Sequence, residues 1–181
     1  MKMDRVAGSG NDEFYTPGYA VRPILEYIPK GSKVWCPFDT EESMFVKMII
    51  DNGSSVVCTH IHNQVDFLEK SEYTDMIIEE CDFIISNPPY SIKADVFERL
   101  FEIGKPFAML VGVVGLFESQ RRFDIFRDNK FEIMYMNRRV SYFKDYSDMK
   151  PSLNPPFSSV YICKNILEDR IVFKEIDKKS I

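Results

Sequence analysis

The chain has 181 residues, 45% of them apolar and 28% charged, and a net charge of −5. Its length suffices for one domain with a full core, residues 1–181, and no apolar run is long enough to span a bilayer. The acidic balance argues against binding nucleic acid through bulk electrostatics, though not against a local basic face. A polar start without a signal peptide, and four scattered cysteines outside any C-x-x-C pair, point to a cytoplasmic protein with reduced thiols. Only residues 1–12 and 177–181 read as flexible.

Along the chain, strand-like and helix-like segments alternate, the pattern of an α/β sheet protein. Residues 17–28 read as a helix and 33–36 as a strand. Residues 42–51 read as a helix with Met44, Phe45, Met48 and Ile49 on one side, ended by Asn52-Gly53. Strands follow at 55–59 and 81–86, a helix at 92–101, a strand at 106–116 and a helix at 117–129. Later strands are expected at 131–136, 158–163 and 171–176, with a proline-bearing loop over 146–156. Open α/β sheets bind ligands beyond the carboxyl ends of their strands, so segments 36–42, 59–67, 87–93 and 115–121 are expected on one rim.

The most informative stretch is Asn87-Pro88-Pro89-Tyr90, which follows the apolar run 81–86. Two prolines stop a strand and stiffen the loop by fixing φ and removing N–H groups. What remains to offer is carbonyls, one amide side chain and one aromatic face. Two acceptors set against the N–H bonds of an aromatic amine would draw its nitrogen toward tetrahedral geometry and stabilise developing positive charge. The Asn87 side-chain oxygen and the Pro88 carbonyl are the candidates, with Tyr90 to stack on the base. Such a pocket is out of reach of a base inside a duplex, so the target would be flipped or single-stranded. The plainer alternative is a rigid turn in which Asn87 or Ser91 caps the next helix.

Residues 82–90 resemble the catalytic motif of amino-group methyltransferases that use S-adenosylmethionine, most closely the adenine-specific DNA methyltransferases of small phage type. The resemblance implies a Rossmann-like methyltransferase fold, a mostly parallel central sheet with helices on both faces. It also implies S-adenosylmethionine as cofactor and nucleic acid as partner, DNA before RNA. Methyltransferases of RNA adenine and of protein glutamine share the tetrapeptide. Glu13-Phe14-Tyr15-Thr16-Pro17 resembles the N-terminal motif that flanks the donor's methionine end, and it also makes a helix start with Thr16 as cap and Pro17 first. Cys36-Pro37-Phe38-Asp39 stands at the cofactor motif, with Cys36 in place of an acid and Thr40-Glu41-Glu42 in place of a glycine-rich turn. Asp39 either pairs with the donor's ammonium or, with Thr40, caps the next helix. His60 stands near the position of the ribose-binding acid, and Asp66-Phe67 near the position that contacts the donor's adenine. These departures keep a second reading open, that of a non-catalytic binding module on the same fold.

Lys93, Arg121, Arg122 and Arg139 are the candidates to hold a nucleic-acid strand, and Phe157 in Pro156-Phe157-Ser158-Ser159 is the candidate to pack against the base or the catalytic loop. The bland reading of the arginines is solvated faces, and of Phe157 a core aromatic. Cys58, His60 and His62 would share one face of a continuing strand, but a fourth ligand is not evident and no metal is expected. With no separate target-recognition domain, sequence selectivity would be low, loop-encoded or supplied by a protein partner.

Overall fold

The computed structural model describes residues 14–144, 146–147, 151–153 and 156–179. Helix α1 (Gly18–Leu25) leads to strand β1 (Lys33–Cys36), α2 (Met44–Asp51), β2 (Ser55–Cys58), α3 (Glu72–Glu80) and β3 (Phe83–Ser86). Then come α4 (Lys93–Ile103), β4 (Phe107–Gly112), α5 (Gln120–Asp128), β5 (Glu132–Met136), β6 (Tyr142–Phe143), β7 (Pro151–Leu153), β8 (Ser159–Lys164) and β9 (Ile171–Lys174).

Seven strands form one sheet in the order β2-β1-β3-β4-β8-β5-β9, while β6 and β7 pair separately. Strands β2, β1, β3 and β4 are mutually parallel. Strand β8 runs against both neighbours, β4 and β5, and β9 is parallel to β5. Six strands therefore point one way, and their carboxyl ends share one rim. This is the mostly parallel, Rossmann-like sheet that the alternating pattern and the family resemblance lead one to expect.

Side-chain alternation sends successive residues to opposite faces. Val34 and Cys36 join one core, and Trp35 joins the other. Ile85, Ala108, Leu110, Tyr161 and Cys163 meet α1 and α2 on the first face. Ile84, Phe107, Met109, Val111, Val160 and Ile162 meet α4 and α5 on the second. All six residues of β4 are buried, as a strand covered on both faces requires. The second face is rich in phenylalanine. Phe97, Phe117 and Phe131 each lie 5.0–6.1 Å from another ring of the cluster around Phe126. Full burial of such a ring, as at Phe97, contributes about 1.5–3 kcal/mol.

Several boundaries differ from the sequence reading. The expected strand 106–116 stops at Gly112, because the chain turns at Gly115 with φ +69°. Helix α5 starts at Gln120 rather than Phe117, where the Ser119 hydroxyl accepts from the Arg122 N–H. Helix α3 is absent from the sequence reading. It is held by a capping box between Ser71 and Thr74 and buries only Thr74 and Ile77, so its apolar pattern is faint. Part of the segment expected as a loop, 151–153, is strand. None of the four cysteines is disulfide-bonded; Cys36, Cys81 and Cys163 are buried and Cys58 half-buried. Among the described residues no helix is long and apolar enough to cross a membrane.

Candidate active site

A cavity of about 310 Å³ opens where the carboxyl ends of β1, β2 and β3 meet. That lies at the low end of small-molecule sites. Its walls are Phe14, Tyr15 and Thr16 before α1, and Phe38, Asp39, Thr40, Glu42 and Ser43 between β1 and α2. His60 and His62 after β2, Asn87 and Pro89 after β3, and Tyr146 and Ser147 after β6 complete it. Three of the four segments expected on the rim therefore converge, and 115–121 does not reach the cavity. Among the described residues no lysine or arginine lines it.

Backbone pairing builds the walls. The ladder between β1 and β2 continues beyond both strands, through the Thr59 N–H donating to Cys36 and the Asp39 N–H donating to Thr59. The Trp35 indole N–H donates to the Thr59 hydroxyl at 2.9 Å in the buried interior. The turn 37–39 is thus fixed without glycines. On the other side, the Phe143 N–H donates to the Tyr15 carbonyl at 2.9 Å, and Tyr15 bridges to Phe143. This pins the arm 14–16 across the rim.

Asn87 sits where that arm meets β3. Its side-chain amide donates to the Phe14 carbonyl at 2.8 Å and to the Thr16 hydroxyl at 3.2 Å. A carbonyl can only accept, so the amide orientation is set. Asn87 Oδ1 is left buried, with no hydrogen-bond partner among the described residues. A buried acceptor without a donor costs about 1–3 kcal/mol. It is therefore a candidate position for a ligand's N–H.

Thr16 was expected as the cap of α1. The helix instead begins after Pro17, which makes no side-chain cap bond, and the Thr16 hydroxyl serves Asn87. Asn87 does not cap the helix after it: α4 starts at Lys93, and its N-cap residue is Ile92, whose side chain makes no cap bond.

Tyr90 stands in an aromatic cluster beside the cavity. Its ring meets Phe14 edge-on at 4.7 Å and Phe157 at 5.4 Å, and the buried Lys93 ammonium lies 5.0 Å from its centroid. Gly112 at the end of β4 makes room for this cluster. A Cβ there would lie 2.6 Å from Phe157 Cε2 and 3.0 Å from Tyr90 Cε1. Gly112→Ala is expected to destabilise the fold by about 1–3 kcal/mol, measured by urea denaturation. An unchanged midpoint would show that the rings move aside freely.

Asp39 is 8% exposed, and its two carboxylate oxygens accept from the Ser43 and Ser86 hydroxyls. Burial pushes its pKa up to about 6, against the lowering by the two hydroxyls. The reading of Asp39 or Thr40 as the cap of α2 is corrected: Ser43 is the cap and accepts from the Phe45 N–H. The Tyr146 hydroxyl accepts from the Met44 N–H at 3.4 Å, and its ring meets Tyr15 edge-on at 4.8 Å. Burial pushes its phenol up to about 12.

Other expected site residues lie apart. Cys36 is a core residue whose thiol is raised well above its ordinary value by burial, and Pro37 is buried. Asp66 closes its own turn by accepting from the Leu68 N–H, and Phe67 is core, packed on Trp35 and Phe38 at 5.3 and 5.2 Å. Neither lines the cavity. Arg121 is tied to Asp95 and Glu98 of α4. Arg122 is half-buried near Gly115, and Arg139 is exposed after β5. His60 Nδ1 accepts from the His62 N–H, and the two rings stack at 4.5 Å, so the strand alternation with Cys58 does not continue.

Sequence reasoning missed Ser43, Ser86 and Tyr146 in this role, while Phe14 was within the expected N-terminal motif. Ser86 had a signal, as a polar residue closing an apolar strand, and Ser43 had one as a helix cap. Tyr146 had none, because the chain reversal after β6 brings it across 103 positions to Ser43.

By sequence, no family matches this chain and no curated protein matches it. Among solved structures it is similar to a precorrin-6y C5,15-methyltransferase from Geobacter metallireducens GS-15, at 10% identity and a TM-score of 0.46. That match covers 90% of this chain and 97% of the other. It is also similar to a TehB-like SAM-dependent methyltransferase from Corynebacterium glutamicum, at 14% identity and a TM-score of 0.42, covering 89% and 92%.

Proposed function

We propose that this chain is an S-adenosylmethionine-dependent methyltransferase acting on the exocyclic N6 amine of adenine in DNA. The observation that carries the reading is the buried Asn87 Oδ1, unpartnered among the described residues, on a residue that lines a cavity on the carboxyl rim. Asn87 Oδ1 and the Pro88 carbonyl accept the two amine hydrogens and stabilise positive charge on nitrogen as the new bond forms. Tyr90 and Phe157 offer aromatic faces to the base. The target must leave its stack to reach them.

The cavity residues fit the donor by chemistry. Asp39 and Glu42 suit its ammonium, Tyr15 and Thr16 its methionine end, Phe38 its ring, and His60 its ribose hydroxyls; Pro17, next to Thr16, does not line the cavity. The absence of lysine and arginine from the walls, among the described residues, suits a ligand without phosphates. When bound, the donor supplies an electrophilic methyl group on a sulfonium, so no enzyme nucleophile is required. Positioning and the two acceptors account for catalysis.

One observation favours a second reading, a non-catalytic binding module: serine hydroxyls already engage both Asp39 oxygens. Calorimetry with S-adenosylmethionine, followed by transfer of labelled methyl to single-stranded and duplex DNA containing adenine, separates the two. Binding with transfer that vanishes when adenine is omitted is the expected result. No donor binding at millimolar concentration would favour the module, and transfer only to RNA or to a glutamine-containing peptide would reassign the substrate.

A further inference from the structure

Asp39 makes two serine hydrogen bonds that neither helix capping nor its place in the donor cavity explains. It is buried, and among the described residues it has no ion-pair partner. Burying a carboxylate is costly unless hydrogen bonds hold it. Its two bonds go to different elements: Ser43 caps α2, and Ser86, fully buried, is the last residue of β3. Ser86 is joined by one peptide bond to Asn87.

We propose that Asp39 is a positioning residue for Asn87: its carboxylate fastens Ser86 to the cavity wall and so sets the backbone from which the Asn87 amide projects. The proposal rests on the reading of Asn87 as the amine-binding acceptor. Asn87 is then held from two sides. The Phe14 carbonyl and the Thr16 hydroxyl fix its amide nitrogen, and Asp39 fixes its strand through Ser86. The Tyr146 hydroxyl bonds Ser43 at 3.5 Å, so the same carboxylate links the segment after β6 to the turn that carries Asn87. A pair of serines around an uncharged side chain would lack the two acceptor oxygens that make this joint.

The test reads Asn87 directly, without donor or substrate. In a ¹H–¹⁵N spectrum its side-chain amide resonance is identified by its loss in Asn87→Ala. Asp39→Asn is expected to displace that resonance in the otherwise wild-type chain and in Ser43→Ala. In Ser86→Ala it is expected to cause no further displacement. The same displacement with and without Ser86, or none in the wild-type chain, would overturn the proposal. A merely structural acid would move the resonance equally in all three backgrounds. The fluorescence of Trp35, the single tryptophan, checks that each variant is folded; should Asp39→Asn unfold, Asp39→Ser takes its place in the cycle. Failure of methyl transfer in the wild-type chain would defeat the functional reading while leaving this result intact.

Discussion

Asn87→Ala is expected to lower the rate of methyl transfer by about 10²–10³-fold, the cost of removing one preorganised group that stabilises transition-state charge. Donor affinity is expected to change far less, because the donor cavity has many other walls. Alanine also removes the bonds to Phe14 and Thr16, so a loss of about 1–3 kcal/mol in stability accompanies it. Asn87→Asp separates the two effects. Its carboxylate would face the Phe14 carbonyl, oxygen against oxygen, which raises the new group's pKa. Once protonated, it donates to that carbonyl and keeps one oxygen as acceptor, restoring the asparagine pattern. Activity of Asn87→Asp relative to wild type is therefore expected to rise as pH falls. Rates for the three proteins across pH 5–8 check this. An Asn87→Ala protein as active as wild type would remove Asn87 from the chemistry. A flat ratio for Asn87→Asp would mean that the acceptor is not what matters.

The sheet was legible because its strands are short apolar runs bounded by turn residues, and because 81–86 ends in Asn87-Pro88-Pro89-Tyr90, which fixes where the rim must be. Helix α3 was not, since Thr74 and Ile77 alone face inward and give no repeat. At the site, Asn87 and Tyr15-Thr16 could be found from local sequence because each belongs to a motif with its own chemistry. Asp39 was found without its partner in β3. An acid in a turn reads as a helix cap or a ligand contact, and nothing local says that Ser86, 47 positions away, claims one oxygen. Asp66-Phe67 failed in the opposite sense. An Asp followed by an aromatic looks like a contact pair, but Trp35 and Phe38 draw Phe67 into the core and Asp66 closes its own turn. Lys93 and Phe157 were named for the substrate and turn up around Tyr90, Phe157 in the open space over Gly112. The arginines divide: ion pairs on α4 engage Arg121, while Arg139 stays exposed.

The buried acid makes stability depend on pH in an unusual direction. Most native carboxylates have pKa values at or below those of the unfolded chain, so stability is lost on acidification. Asp39 is the reverse: its ordinary value is 3.8 and burial raises it to about 6. Between those values the native state holds the proton more tightly than the unfolded state. The favourable contribution of Asp39 is therefore complete below about pH 4 and is lost as pH rises through 6. That gap corresponds to about 3 kcal/mol. Exposed acids with lowered pKa, such as Glu102 and Asp128, work against it, so the net curve of the wild-type chain does not isolate Asp39. Asp39→Asn removes the one titration and leaves the others. Urea denaturation of both proteins at pH 4.5 and 7.5 is expected to show wild type losing about 2 kcal/mol more than Asp39→Asn over that interval. Cys36, Cys58 and Tyr146, which feel the Asp39 charge, titrate above the interval and cancel in the comparison. Equal losses in the two proteins would mean that water or a nearby cation reaches the carboxylate, and the joint between Asp39 and Ser86 would then be open to solvent.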